Sequence, residues 1–191
     1  MLRPQFSRQQ YQDLDILREH VENLISCINE NDPCVDLQPL FFRLTLDTTT
    51  AFLFGESTYS LRANQAGEDI KFAESFDIAQ DYVVQRYRYS DLYWLIGGRR
   101  FREACASVHN FIDHIIQRRK DKLKSQDTGG RYVFIDAIAE DSPDRNALRD
   151  QLVNILLAGR DTTACLLSWV LYGDPSSPFL SDYRLPIERY S

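Results

Sequence analysis

One segment constrains the fold of this chain more than any other: the apolar run from Leu148 to Leu171, interrupted near its middle by "GRDTT". Leu148, Leu152, Ile155 and Leu156, then Leu166, Leu167, Val170 and Leu171, recur at helical spacing. A helix over these 24 positions is about 36 Å long at 1.5 Å per residue, the width of a domain. Apolar residues occupy most of its circumference, which predicts a helix ringed by other helices. Ser142 and Pro143 have the form of its N-cap and first residue.

The rest of the sequence supplies candidates for that ring. Ser7 and Gln10 form a capping-box pattern, followed by Tyr11, Leu14, Leu17, Val21, Leu24, Ile25 and Ile28 on one face, up to the breakers Asn31, Asp32 and Pro33. A second helix is expected from Pro39 to Gly55, although "LTLDTTTAFLF" is rich enough in β-branched and aromatic residues to allow a strand. Beyond the turn-like "RANQAGED", helices are expected at about 70–87 and 100–124, separated by the aromatic "YRYSDLYWLIGG". "SQDTGG" reads as an exposed loop, and "RYVFIDAIAE" as a short helix or an extended piece. The fold class is all-α, about six helices in one unit over 1–172, with an irregular tail over 173–191 containing three prolines.

Composition narrows the function. The 191 residues are 43% hydrophobic and 26% charged, within the globular range. A net charge of -6 gives no electrostatic footprint for nucleic acid. Cys27, Cys34, Cys105 and Cys165 include no Cys-x-x-Cys pair and read as free thiols, not as a disulfide framework or a zinc site. "MLRPQFSRQQ" lacks the apolar segment of a signal peptide, and no run of 18 apolar residues predicts a membrane span. His109 and Asp113 lie one helical turn apart, but two ligands do not make a metal site, so no metal site is expected. The Tyr82, Tyr87, Tyr89, Tyr93 and Trp94 cluster is expected to fill core beside a loop more than to line a substrate entrance. "RRFR" and "QRRKDKLK" read as solvated helix faces.

The polar break holds the chemistry. A helical threonine returns its hydroxyl to the carbonyl four residues back, here Thr162 to Ala158. Gly159 lacks a side chain at the same level, so a flat group could approach the backbone. Asp161 stands in apolar surroundings that raise its pKa unless it is paired, and adjacency in sequence keeps Arg160 from facing the same way.

"LRDQLVNILLAGRDTTACLLSW" resembles the central distal helix of the cytochrome P450 monooxygenases, with its Ala/Gly-Gly-x-Asp/Glu-Thr-Thr/Ser signature. "LRPQFSR" resembles the exit of the family's early haem-proximal helix, and "LTLDTTTAFLFG" its helix ending in Phe-Gly. "DLYWLIGGRRFREACASVHNFIDHII" is similar to the middle region of fungal members that hydroxylate alkanes and fatty acids. The resemblance spans about residues 1–171. It implies a haem cofactor, with Ala158, Gly159 and Thr163 against it, Thr162 holding bound dioxygen and a water, and Asp161 feeding protons. It also implies an NADPH-dependent reductase as partner, a small apolar substrate, and an endoplasmic-reticulum membrane location, cytoplasmic face, for the intact parent.

The family's Phe-x-x-Gly-x-Arg-x-Cys-x-Gly loop is not matched: after Phe52 and Gly55, Tyr59 stands at the cysteine position. No glutamate is followed three residues later by arginine, and Trp94 and Trp169 lead to Gly98 and Gly173 where Trp-x-x-x-Arg requires arginine. The chain therefore resembles the middle of such an enzyme, cut at both ends. It is expected to be inactive alone, and cytoplasmic or unstable. The alternatives are a catalytically dead helical protein or interaction module, and a chain that does not fold stably.

Overall fold

The computed structural model describes residues 14–28, 35–62, 68–124, 134–141 and 144–173. Among them are six α-helices and no strand: α1 (Asp15–Ser26), α2 (Leu37–Phe54), α3 (Glu68–Tyr89), α4 (Arg99–Lys124), α5 (Phe134–Asp141) and α6 (Arg145–Gly173). A 3-10 turn, Ser90–Leu95, joins α3 to α4. The all-α expectation is met. The Ser7 capping box, Cys34, "SQDTGG", the Ser142–Pro143 start and the tail beyond Gly173 lie outside the described residues.

α2 is a helix despite its β-branched content because each of three threonines turns its hydroxyl onto its own helix. Thr45, Thr48 and Thr50 donate to the carbonyls of Phe41, Leu44 and Leu46, each at 2.9 Å. Asp36 caps its start by accepting from the Gln38 N–H, and Gly55 ends it at φ 73°, a left-handed C-cap that glycine adopts without strain. Burial settles the remaining ambiguity. Phe41, Leu44, Leu46, Leu53 and Phe54 are all buried, on several sides of α2.

α6 is one uninterrupted helix of 29 residues. The expectation that it is ringed is corrected: Leu148, Leu152, Leu156, Arg160 and Ala164 form a single buried stripe at a spacing of four. Leu166, Trp169, Val170 and Tyr172 are exposed, so the surrounded helix is α2 instead. α2 packs along α6 and also touches α1 and α5, while α3 pairs with α4. The main core combines Leu46, Leu53 and Phe54 of α2 with Phe72 and Phe76 of α3 and Ile112, Ile115 and Ile116 of α4. Phe134, Ile135 and Ile138 of α5 and Leu148, Leu152 and Leu156 of α6 complete it. A smaller cluster of Leu24, Phe41, Leu44, Leu61 and Ala164 fastens α1 near the polar break. Fully burying each such leucine stabilises the fold by about 1.5–3 kcal/mol.

The aromatic linker departs from its expected role. Tyr87, Tyr89, Tyr93 and Trp94 are exposed, and only Tyr82 is half-buried, its ring 5.3 Å from Phe101. A short 3-10 segment has too few residues facing one way to bury so many rings. Gly98, at φ 116°, then turns the chain into α4. The basic run in α4 is not wholly solvated either, since Arg119 pairs with Asp136 and pins α5. Asp113 is held by Arg145 and Arg149 of α6, at 3.3 and 3.4 Å.

His20 of α1 is 1% exposed and stacks, tilted, on Tyr59 with centroids 5.4 Å apart. Burial lowers its pKa below 6.5, against the opposing pull of Asp47 and Glu19. The folded state therefore binds fewer protons than the unfolded one below that value, so stability is full above pH 6.5 and falls as the pH drops through it. We expect the Tm to decrease between pH 7 and pH 5, and the decrease to be smaller in His20→Leu. Equal slopes in the two proteins would show that another group is responsible.

Candidate functional site

Successive residues of a helix are turned by about 100°, and this spreads "AGRDTT" over three sides of α6. Arg160 lies on the buried stripe, Ala158 and Thr162 lie opposite it and are exposed, and Asp161 sits on the flank facing α3. Gly159 lies on the flank facing α2, where an added Cβ would come within 2.9 Å of Thr49 Cγ2 and Oγ1. The missing side chain thus permits close packing of α6 on α2. Thr163 is exposed.

The threonine expectation is met: Thr162 Oγ1 donates to the Ala158 carbonyl at 2.6 Å. Its oxygen keeps lone pairs on the open side and can accept a further hydrogen bond. Asp161 does not share that side. Its Oδ2 accepts from Gln80 Nε2 of α3 at 2.6 Å, and its Oδ1 from Arg160 Nη1 at 3.0 Å. The expected separation of Arg160 from Asp161 is thereby corrected. Adjacent Cα atoms point apart, but the arginine stem is long enough for the guanidinium to swing back to its neighbour.

Arg160 is the residue that motif reasoning missed. It is 5% exposed, with its guanidinium 4.8 Å from the Phe42 ring and 5.2 Å from that of Phe76. A second ion pair joins it to Asp77 of α3. The signal was in the sequence, since Arg160 stands four residues after Leu156 and four before Ala164, on the core register. Gln80 carried no comparable signal, because its role depends on how α3 approaches α6.

Asp161 and Arg160 lie at the wall of a cleft of about 730 Å³ between α2, α3 and α6, which Phe42, Leu46, Asp77 and Gln80 also line. Burial raises the Asp161 pKa above 3.8, and Asp77 adds to the rise, while Arg160 and Gln80 oppose it. The folded state then binds more protons than the unfolded one above pH 3.8, so stability declines as the pH rises through the folded pKa. Asp161→Asn is accordingly expected to raise the Tm at pH 7, with the difference closing toward pH 4. A lower Tm for the variant at pH 7 would contradict this. An acid kept at a cost to stability is a common mark of a working site.

The residues can be tested against a haem. Ala158 and Thr162, continued by the exposed Leu166 and Trp169, form an open strip suited to the face of a flat apolar group. The iron ligand is another matter. Cys27 Sγ donates to the Leu61 carbonyl at 3.1 Å, and burial pushes the Cys105 thiol up, away from thiolate. Cys165 is on α6 itself, one turn beyond Asp161, and cannot stand across from the strip. Among the described residues the open strip offers a face to a flat apolar group, and neither the hydrogen-bonded Cys27 nor the half-buried Cys105 nor Cys165 is disposed to supply a thiolate across from it.

Residues 6–173 match the model of the family Cytochrome P450. A "Cytochrome P450" from Arthroderma benhamiae is 46% identical over 177 residues, covering 90% of this chain and 35% of the relative. "Cytochrome P450 52A5" from Candida maltosa is 42% identical over 90% of this chain and 35% of its own length. "Cytochrome P450 monooxygenase g430" from a Fusarium species is 37% identical, over 93% and 35% respectively. The chain thus spans about a third of the length of these relatives. No described helix is long and apolar enough to cross a membrane. A match over most of its residues means that this chain belongs to the cytochrome P450 family.

Proposed function

We propose that this chain is the oxygen-facing segment of a haem-dependent monooxygenase that hydroxylates aliphatic C–H bonds of fatty-acid or alkane-like substrates. The overall reaction consumes dioxygen, two electrons and two protons, and yields the alcohol and water. Electrons come from NADPH through a reductase, and the bound haem supplies the oxygen-activating chemistry. The intact parent works at the endoplasmic-reticulum membrane. The observation that carries the reading is the division of labour on α6: a hydroxyl on the open strip and a raised-pKa acid on the flank, one residue apart.

Each residue then has a physical task. Ala158 keeps the strip low. Thr162 has an oxygen able to accept from a water on the open side. Asp161 takes protons from the cleft, and its raised pKa brings proton release closer to neutral pH, where relay acids are most effective. Gly159 lets α6 lie close on α2, and Thr163 is exposed beside the strip.

The direct test is a chimera in which residues 6–173 replace the matched segment of the full-length Arthroderma benhamiae relative. NADPH- and reductase-dependent hydroxylation of a fatty acid or alkane is expected, with Asp161→Asn slowing turnover by about 100-fold, the scale of general acid catalysis. A chimera that binds haem and accepts electrons but leaves both substrate classes untouched would overturn the substrate reading. The 191-residue chain, mixed with haem, reduced and treated with carbon monoxide, is expected to give no thiolate-type Soret band. Seeing one would show that a cysteine of this chain reaches the iron.

A further inference from the structure

Asp161 faces away from Thr162, and its direction is set by two side chains from two helices. Gln80 holds one carboxylate oxygen at 2.6 Å and Arg160 the other at 3.0 Å. Arg160 is itself divided, with its second nitrogen on Asp77. Its guanidinium also lies 4.8 Å from the Phe42 ring and 5.2 Å from that of Phe76, two cation–π contacts that add to the hold on it. The Arg160 Nε–H is buried with no acceptor among the described residues, which leaves one donor for a water or ligand oxygen at the cleft wall. α3 and α6 have little backbone contact, and this clasp joins them through side chains, Gln80 to Asp161 and Arg160 to Asp77.

We propose that Gln80 and Arg160 are positioning residues that hold the Asp161 carboxylate toward the cleft between α2 and α3, with Asp77 setting how much of Arg160 it receives. The inference rests on the reading of Asp161 as the proton-relay acid. It makes the cleft, not the Thr162 strip, the side on which the acid is loaded. The other charged or titratable groups lining that cleft are Glu74 and Asp81 of α3, Arg43 of α2, Arg62 beyond it, and Cys165 of α6. None of them is hydrogen-bonded to Asp161; Asp81, for example, accepts from Gln85.

The two partners act in opposite directions, which separates positioning from mere support. Gln80→Leu removes a donor that favours the carboxylate, so the Asp161 titration moves up. Asp77→Asn removes a nearby negative charge and leaves Arg160 wholly to Asp161, so the titration moves down. Gln80→Glu brings a second carboxylate to the pair and moves it up further than leucine does. Each shift is read on the 191-residue chain from the Asp161 side-chain carboxyl resonance, with Asp81→Asn as a cleft control that leaves it near the wild-type position. Shifts in one direction for Gln80→Leu and Asp77→Asn, or none in either, would overturn the proposal. Failure of the relay reading looks different: opposite shifts here together with full turnover of the Asp161→Asn chimera would keep the clasp and remove the relay.

Discussion

Arg160→Ala is expected to destabilise the chain by about 2–3 kcal/mol, somewhat below the range for breaking a fully buried ion pair because the partners are partly exposed. Asp77 is 61% exposed and recovers water when the arginine is lost, so it contributes little to the penalty. Asp161, at 25%, is left next to Asp77 with only Gln80 to stabilise its charge. The contacts of the guanidinium with Phe42 and Phe76 also disappear. Arg160→Met separates the terms, since it restores apolar contact but no cation. Urea unfolding of the three proteins at pH 7 checks this, and the penalty should shrink for both variants as the pH is lowered far enough to protonate Asp161. An alanine variant within about 0.5 kcal/mol of the parent, the range of ordinary surface substitutions, would refute the structural role given to Arg160.

Asp47→Ala carries the second large effect, about 3 kcal/mol or more, since hydrogen bonds to a charged acceptor are worth roughly 1.5–3 kcal/mol each and do not simply add. Asp47 is fully buried in α2 and accepts from Thr58 Oγ1 at 2.7 Å, Ser60 N–H at 2.7 Å and Leu61 N–H at 3.1 Å. Its loss strands two backbone donors and a hydroxyl in the interior. The damage should begin in residues 56–62 and pass to α1, because Leu61 binds Cys27 and Tyr59 packs on His20. Faster exchange of the Ser60 and Leu61 amides is the sensitive readout. Asp47→Asn keeps one acceptor oxygen and should recover part of the loss. Unchanged amide protection in Asp47→Ala would show that the segment is held by other contacts.

These two residues mark the limits of motif reading. Asp47 lies inside "LTLDTTT", where an acid in a helix gives no hint of burial, and its partners are 11 to 14 positions away. Arg160 occupied the unspecified place in "AGRDTT", yet it stands on the stripe set by Leu148, Leu152 and Leu156. Both are polar groups made tolerable in the interior by partners from other segments, and pairing of that kind has no local signature.

Helix content and order were legible because periodicity, caps and breakers act within a few residues. Gly55 closing α2 and the four-residue spacing of Leu148, Leu152 and Leu156 are of this kind. The distal motif and the Thr162–Ala158 hydrogen bond were legible for the same reason, since one turn of helix fixes them. Which helix is surrounded, which side of α6 meets α2, and what Asp161 faces depend on contacts between residues as far apart as Gln80 and Asp161. Apolar pattern counts the residues fit for burial without saying which neighbour covers them. That is why Leu166 and Val170, read as core, stand exposed here while the charged Arg160 does not.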